Sequence, residues 1–146
     1  MKITLCGSTK FREAFQDWNI ILTLAGHIVY SVAGFGHSGD VFDDEEKRRL
    51  DVIHLEKIAQ SDAILVLNVN QYYGESTTRE IDYAKMLGRE VYWLHNKTDG
   101  GGCLGKSIWT MPHQFMLGTG FKSVSHVSRS HKYMELKADD LCPQTV

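Results

Sequence analysis

The sequence predicts an α/β domain: a parallel sheet of four or five strands with helices on both faces, a three-layer sandwich. Three observations predict it. Short apolar runs alternate with helix-period stretches through Leu94 in the order β-α-β-α-β-α-β, which implies parallel strands joined by right-handed crossovers. One of the runs, Ala63 to Val69, is continuously apolar apart from Asn68, as in a central strand covered on both faces. Glycines and hydroxyl residues gather just past the strand ends at Gly7–Lys10, Ser31–Asp40 and Val69–Thr77. These are the places where such sheets hold ligands, outside the carboxyl ends of the strands where their order reverses. The expected strand order is 2-1-3-4, with a fifth strand at an edge.

Each element has its own signal. Lys2 to Cys6 is a short apolar run ending in Gly7-Ser8-Thr9. Phe11, Phe15, Trp18, Ile21, Leu22 and Ala25 then recur at helical spacing, and Gly26 stops them. His27 to Val32 is β-branched and aromatic and reads as the second strand. The second helix opens at Asp43 and Asp44, whose carboxylates suit the positive end of the helix dipole. It carries Leu50, Ile53, Ile58 and Ala59 and runs to about Gln60. After the apolar third strand, Gln71 to Glu75 reads as a loop. Ser76 to Leu87 is a third helix, with Ile81, Ala84 and Leu87 inward and Gly88 as its stop. Val91 to Leu94 is a fourth strand. Beyond it the pattern weakens: Ile108 to Leu117 is apolar but interrupted by Pro112, Lys122 to Arg129 alternates like an edge strand, and Ser130 to Val146 reads as a tail.

Composition narrows the class. A chain of 146 residues suits one domain. Eighteen acidic and 16 basic residues are interspersed for a net charge of −2, which gives no electrostatic footprint for duplex nucleic acid. No apolar run is long enough for a bilayer span, and the N-terminus reads directly as a strand without a signal peptide. Three dispersed cysteines do not make a disulfide framework, and no CxxC or HxxxH spacing marks a zinc site. The expectation is a cytoplasmic protein that needs neither metal nor organic cofactor.

Five stretches bear on chemistry. Gly34-Phe-Gly-His-Ser-Gly39 fits GxGxxG, but it follows the second strand and no helix opens on it, so it reads as a loop over the site. Gly100 to Ser107 satisfies GxxxxGKS, a P-loop pattern that would use Lys106 on a nucleoside triphosphate. Five polar residues separate it from Leu94, however, and Pro112 cuts short any following helix. Gly7-Ser8-Thr9-Lys10 lies between the first strand and the first helix, where N–H groups, hydroxyls and an ammonium can meet a phosphate. An ordinary turn with Ser8 or Thr9 as N-cap has the same pattern. Thr77-x-x-Glu80 fits a capping box, which would make Glu80 structural. Alternatively, Glu80 points into the cleft from the first helical turn as an ionised carboxylate able to attack an anomeric carbon. His54, one turn after Leu50, is either a half-buried histidine or a catalytic one.

Taken in order, Leu5-Cys6-Gly7-Ser8, Ala59-Gln-Ser-Asp-Ala-Ile-Leu-Val66, and Thr77-Thr-Arg-Glu-Ile-Asp-Tyr-Ala84 with Leu87-Gly-Arg-Glu-Val91 resemble the nucleoside 2-deoxyribosyltransferase-like superfamily, which includes the 2'-deoxynucleoside 5'-monophosphate N-glycosidases. The resemblance covers a core of about residues 1–95 within a single domain 1–146 and leaves 96–146 as a C-terminal extension. It implies a flavodoxin-like, Rossmann-like fold. It places the nucleophile on Glu80, the phosphate turn on Gly7, Ser8, Thr9 and Lys10, and the small-residue turn before the glutamate on Ser76 and Thr77. It implies a homodimer or larger homo-oligomer, to which Phe35, Tyr72, Tyr73, Trp109 and Phe115 would add contact surface. Where the family has an aspartate on the second helix this chain has His54, with Asp51 and Glu56 nearby. The family's glycine after the catalytic Glu-Ile is Asp82.

The function expected from these readings is N-glycosidic cleavage or transfer on a (deoxy)nucleoside or its 5'-monophosphate. Glu80 would be the nucleophile, and His54 or Asp51 would protonate the leaving base. Two alternatives stand beside it: a non-catalytic nucleotide-binding module of the same fold, and an NTP-binding protein using Gly100–Ser107.

Overall fold

The computed structural model describes residues 1–95 together with 98–99, 102–103 and 106–107. Strands β1 (Lys2–Cys6), β2 (Ile28–Tyr30), β3 (Ala63–Val66) and β4 (Glu90–Trp93) pair in parallel, with helices α1 (Arg12–Leu24), α2 (Asp44–Ala59) and α3 (Glu75–Met86) as the crossovers. Two short strands, β5 (Thr98–Asp99) and β6 (Gly102–Cys103), pair antiparallel with each other. A last strand, β7 (Lys106–Ser107), joins the main sheet parallel to β4, giving the order β2-β1-β3-β4-β7. The expected 2-1-3-4 order with an edge strand is present. The fifth strand is Lys106–Ser107; the alternating Lys122–Arg129 segment lies outside the described residues.

The fifth strand also bears on the P-loop reading. A P-loop lysine and serine open a helix so that its N–H groups face the phosphates. Here Lys106 and Ser107 are extended and in register with Tyr92 and Trp93. Lys106 and Ser107 therefore do not take up the P-loop conformation.

Alternation along each strand builds two cores. Ile3 and Leu5, Ala63, Leu65 and Leu67, and Tyr92 and Leu94 face α1, where they pack on Phe15, Trp18, Ile21 and Leu22. Cys6, Ile64, Val66, Val91 and Trp93 face the other way, onto Ile58 of α2 and Ile81 and Ala84 of α3. The sheet is therefore the middle of three layers, and both faces of β3 are fully buried. That is why the third strand reads as a continuous apolar run and not as an alternating one.

Polar contacts fix the strand ends. Thr4 Oγ1 and Ser61 Oγ lie 2.6 Å apart in the core, and Ser61 Oγ donates to the Lys57 carbonyl. Asp62 accepts from the Lys2 N–H at 2.8 Å. Ser61 and Asp62, part of the family-like stretch, thus lock β1 to the entry of β3. Asn68, fully buried, donates to the His95 carbonyl and accepts from the His95 N–H, tying the exit of β3 to the exit of β4.

Two helix starts differ from expectation. The N-cap of α1 is Phe11, not Ser8 or Thr9, so the Gly7–Lys10 turn stands ahead of the helix as a separate loop. The N-cap of α3 is Gly74, with no side-chain cap, and Thr77 is already inside the helix and buried. The Thr77-x-x-Glu80 pattern is therefore not a capping box. Glu80 sits in the second turn, not the first. The box occurs instead on α2, where Asp43 and Glu46 exchange hydrogen bonds with each other's backbone N–H.

Candidate active site

The carboxyl ends of β1, β2 and β3 open into a cavity of about 430 Å³, a size suited to a small organic ligand. The residues expected to carry the catalysis and substrate binding line it: Gly7, Ser8, Thr9 and Lys10 from the turn after β1, Asp51 and His54 from α2, and Ser76, Thr77 and Glu80 from α3. The strand order reverses between β1 and β3, so the loops leaving them part and leave this crevice.

The turn after β1 depends on Gly7. Its φ is +157°, and a Cβ there would lie 3.2 Å from the Leu67 carbonyl oxygen and 3.3 Å from the Leu67 side chain. A larger residue would be strained at that φ and would push the end of β3 back by a few tenths of an ångström. Thr9 holds the Gly-rich loop over the cavity: its hydroxyl accepts from the His37 N–H and its carbonyl accepts from Ser38 Oγ. Asp40 closes the same loop by accepting from the Phe35 N–H at 2.6 Å and pairing with Arg12 at 3.3 Å. Lys10 extends its ammonium over the Tyr72 ring, 3.4 Å from the centroid, an attraction that holds the charge at the cavity rim.

Helix α2 presents one stripe to the cavity. Lys47, Leu50, Asp51, His54 and Lys57 follow helical spacing and all line it. Most of this helix's inward face therefore borders the cleft, and only His54 and Ile58 along it are buried. Ile53, one of the apolar residues that marked this helix in the sequence, is exposed beside the cavity. Sequence reasoning did not single out Lys47 and Lys57, and it read Tyr72 as a contact residue and not as part of the cavity. The spacing of the two lysines from His54 was the available signal.

Glu80 forms the cavity floor together with His54. Its side chain is 15% exposed, and Oε2 lies 3.7 Å from His54 Nε2. Behind them, fully buried Cys6 places Sγ 3.6 Å from the same nitrogen. Burial pushes the Glu80 carboxyl up to about 7; the Cys6 hydrogen bond works against that rise, while Asp51 adds to it and Arg79 opposes it. The expectation that Glu80 is simply ionised is thereby corrected: the helix start that was to favour its charge lies a turn away, and desolvation dominates. Burial, with Lys57 nearby, lowers His54 to about 4, so at neutral pH it is an uncharged imidazole. The Cys6 thiol is raised well above its usual value, by burial first and by Glu80 second, and stays protonated.

Of the aromatic residues expected at a subunit contact, two pack within the fold and one is exposed. Phe35 packs edge-on against Phe15, and Tyr73 against Trp93. Tyr72 is 47% exposed. Trp109 and Phe115 lie outside the described residues. Among the described residues no helix is long and apolar enough to cross a membrane.

No protein-family model and no curated protein sequence matches the chain. Solved structures do. A 2-deoxyribosyltransferase from the psychrotolerant bacterium Bacillus psychrosaccharolyticus superposes with a TM-score of 0.50 at 18% identity, over 64% of this chain and 71% of that one. The CMP N-glycosidase BcmB of Clostridium botulinum gives a TM-score of 0.45 at 17% identity, over 64% and 70%. A conserved protein from Enterococcus faecalis V583 gives 0.46 at 19%, over 67% and 65%. The first of these shows that the chain has the fold of a 2-deoxyribosyltransferase, the α/β architecture that the sequence resemblance implied.

Proposed function

We propose that the protein cleaves or transfers at the N-glycosidic bond of a (deoxy)nucleoside or nucleoside 5'-monophosphate through a covalent glycosyl-glutamate. The observation that carries this reading is Glu80: a carboxylate desolvated at the floor of a ligand-sized cavity, with the Gly7–Lys10 turn and two further lysines around it. The sequence resemblance puts the nucleophile at this residue, and the fold is shared with a 2-deoxyribosyltransferase.

In this mechanism the ionised Glu80 oxygen attacks C1'. The C1'–N bond breaks as the C1'–O bond forms, and the fixed anion stabilises the oxocarbenium-like transition state. Water or a second base then takes the sugar from the ester and restores the carboxylate. The leaving base needs a proton or hydrogen bonds. Neutral His54 has no second proton to give at pH 7 but keeps one N–H that can hydrogen-bond the base, so the proton itself comes from water, with Asp51 at the cavity to orient it. Lys10 with Ser8 and Thr9 provides for a 5'-phosphate, and Ser76 and Thr77 for the sugar side. The same reading includes a homo-oligomer, which light scattering at micromolar concentration tests.

The test is incubation with a panel of nucleosides, deoxynucleosides and their 5'-monophosphates, following free base by chromatography. Release of base from at least one member is expected. Tight binding without release from any member would favour a non-catalytic nucleotide-binding module.

A further inference from the structure

Cys6, His54 and Glu80 come from β1, α2 and α3, yet their ligand atoms all lie within 4.8 Å of one another. The separation of Cys6 Sγ and His54 Nε2 is 3.6 Å, and that of His54 Nε2 and Glu80 Oε2 is 3.7 Å. A tetrahedral zinc ion with its usual bond lengths holds a sulfur and a nitrogen ligand about 3.6 Å apart, and a nitrogen and an oxygen ligand about 3.4 Å apart. The sulfur–nitrogen edge therefore already matches, and the nitrogen–oxygen and sulfur–oxygen edges, the latter within 4.8 Å against about 3.5 Å in a tetrahedral site, close with a turn of the Glu80 carboxylate. A second feature points the same way: Glu80 Oε2 is buried and makes no hydrogen bond of ordinary geometry, with the weak thiol donor of Cys6 acting on the carboxyl, an arrangement that is costly unless something satisfies the oxygen.

We propose that Cys6, His54 and Glu80 form a three-ligand site for a thiophilic divalent ion such as Zn²⁺, with its fourth coordination position open to the cavity. Sulfur, imidazole nitrogen and one carboxylate oxygen make a donor set for zinc or cobalt; calcium and magnesium require six or more oxygens. His54 and Glu80 line the cavity and Cys6 closes the far side, so the open position faces a ligand or water. On binding, the thiol proton leaves to solvent and the thiolate bonds the ion. The sequence carried no zinc spacing because the three donors sit on three separate elements. One consequence rests on the proposed function: an ion on Glu80 occupies the nucleophile, so zinc inhibits base release.

The experiment uses the full chain, stripped with a chelator and titrated with Co²⁺ while its absorption is recorded. One equivalent should give the visible bands of tetrahedral cobalt and a near-ultraviolet thiolate-to-cobalt charge-transfer band, both abolished by Zn²⁺. Cys6→Ser should lose the charge-transfer band. His54→Gln should weaken Co²⁺ binding by more than about tenfold, the loss that even an outer-shell partner can cause, and it serves as the test if Cys6→Ser does not fold. The proposal is overturned if wild type takes up no stoichiometric cobalt, if His54→Gln binds as wild type does, or if the charge-transfer band survives in Cys6→Ser. The last result would place the sulfur on Cys103 or Cys142. The cobalt spectrum is read without substrate, so it can fail while base release stands, and base release can fail while the metal site stands.

Discussion

Glu80 should cost the fold stability, and the amount follows from its surroundings. Its carboxyl rises from 4.5 to about 7 on folding, with burial as the main cause. A group whose folded pKa is raised supports the fold fully below its unfolded value, and that support is lost as pH climbs through the folded value. The shift corresponds to about 3 kcal/mol, and at 15% side-chain exposure little of it is screened away. Glu80→Gln keeps the shape and removes the charge. Relative to wild type it should therefore gain about 2.5 kcal/mol between pH 5 and pH 8, the remainder of the shift being expressed already below pH 5. At pH 5 His54 is still uncharged, and other titrating groups cancel in the comparison. The assay is urea unfolding of both proteins at the two pH values, in EDTA so that no adventitious ion occupies the cluster. A difference between the two proteins that does not change with pH would refute the reasoning, as would a Glu80→Gln protein that becomes relatively less stable on going to pH 8.

Three further outcomes are expected. Base release should rise with pH through an apparent pKa near 7, because Glu80 must ionise to attack; a flat profile between pH 5 and 8 would remove Glu80 from the chemical step. Gly7→Ala places a Cβ against the Leu67 carbonyl at a φ of +157°, so it should destabilise the protein by about 1–3 kcal/mol and weaken ligand binding, both read by thermal unfolding with and without nucleotide. Asn68→Ala leaves the N–H and carbonyl of His95 without their side-chain partner and should cost about 1–3 kcal/mol in urea unfolding; a loss below about 0.5 kcal/mol would mean water replaces the amide there.

The layers of the fold were legible because each strand carries its own periodicity. Ala63–Val66 is buried on both sides and reads as an unbroken apolar run, and Phe15, Trp18 and Leu22 mark the buried face of α1. Part of the cavity lining was legible as well, since the named residues follow strand ends or sit one helical turn from another, whereas Lys47 and Lys57 were passed over. Their relations were not. Thr77-x-x-Glu80 imitates a capping box because Gly74, the actual N-cap, has no side chain to announce itself. The pKa values of Glu80 and His54 follow from burial, which depends on packing between α2, α3 and β1 and not on local sequence. The approach of Cys6 to His54 and Glu80 has the same origin. A cysteine at the end of an apolar strand reads as core, and only the crossing of three elements turns it toward two ligand-type side chains.

The central claim is that Glu80 performs the chemistry, and the measurement closest to it is free-base release by wild type and Glu80→Gln at matched folded fraction. The glutamine variant keeps the fold and the cavity, but its amide oxygen cannot serve as the nucleophile that forms the glycosyl ester. Turnover should fall by several powers of ten, on the order of 10³-fold or more, while binding of the nucleotide persists. Equal rates of base release by the two proteins would contradict the assignment of Glu80 as nucleophile.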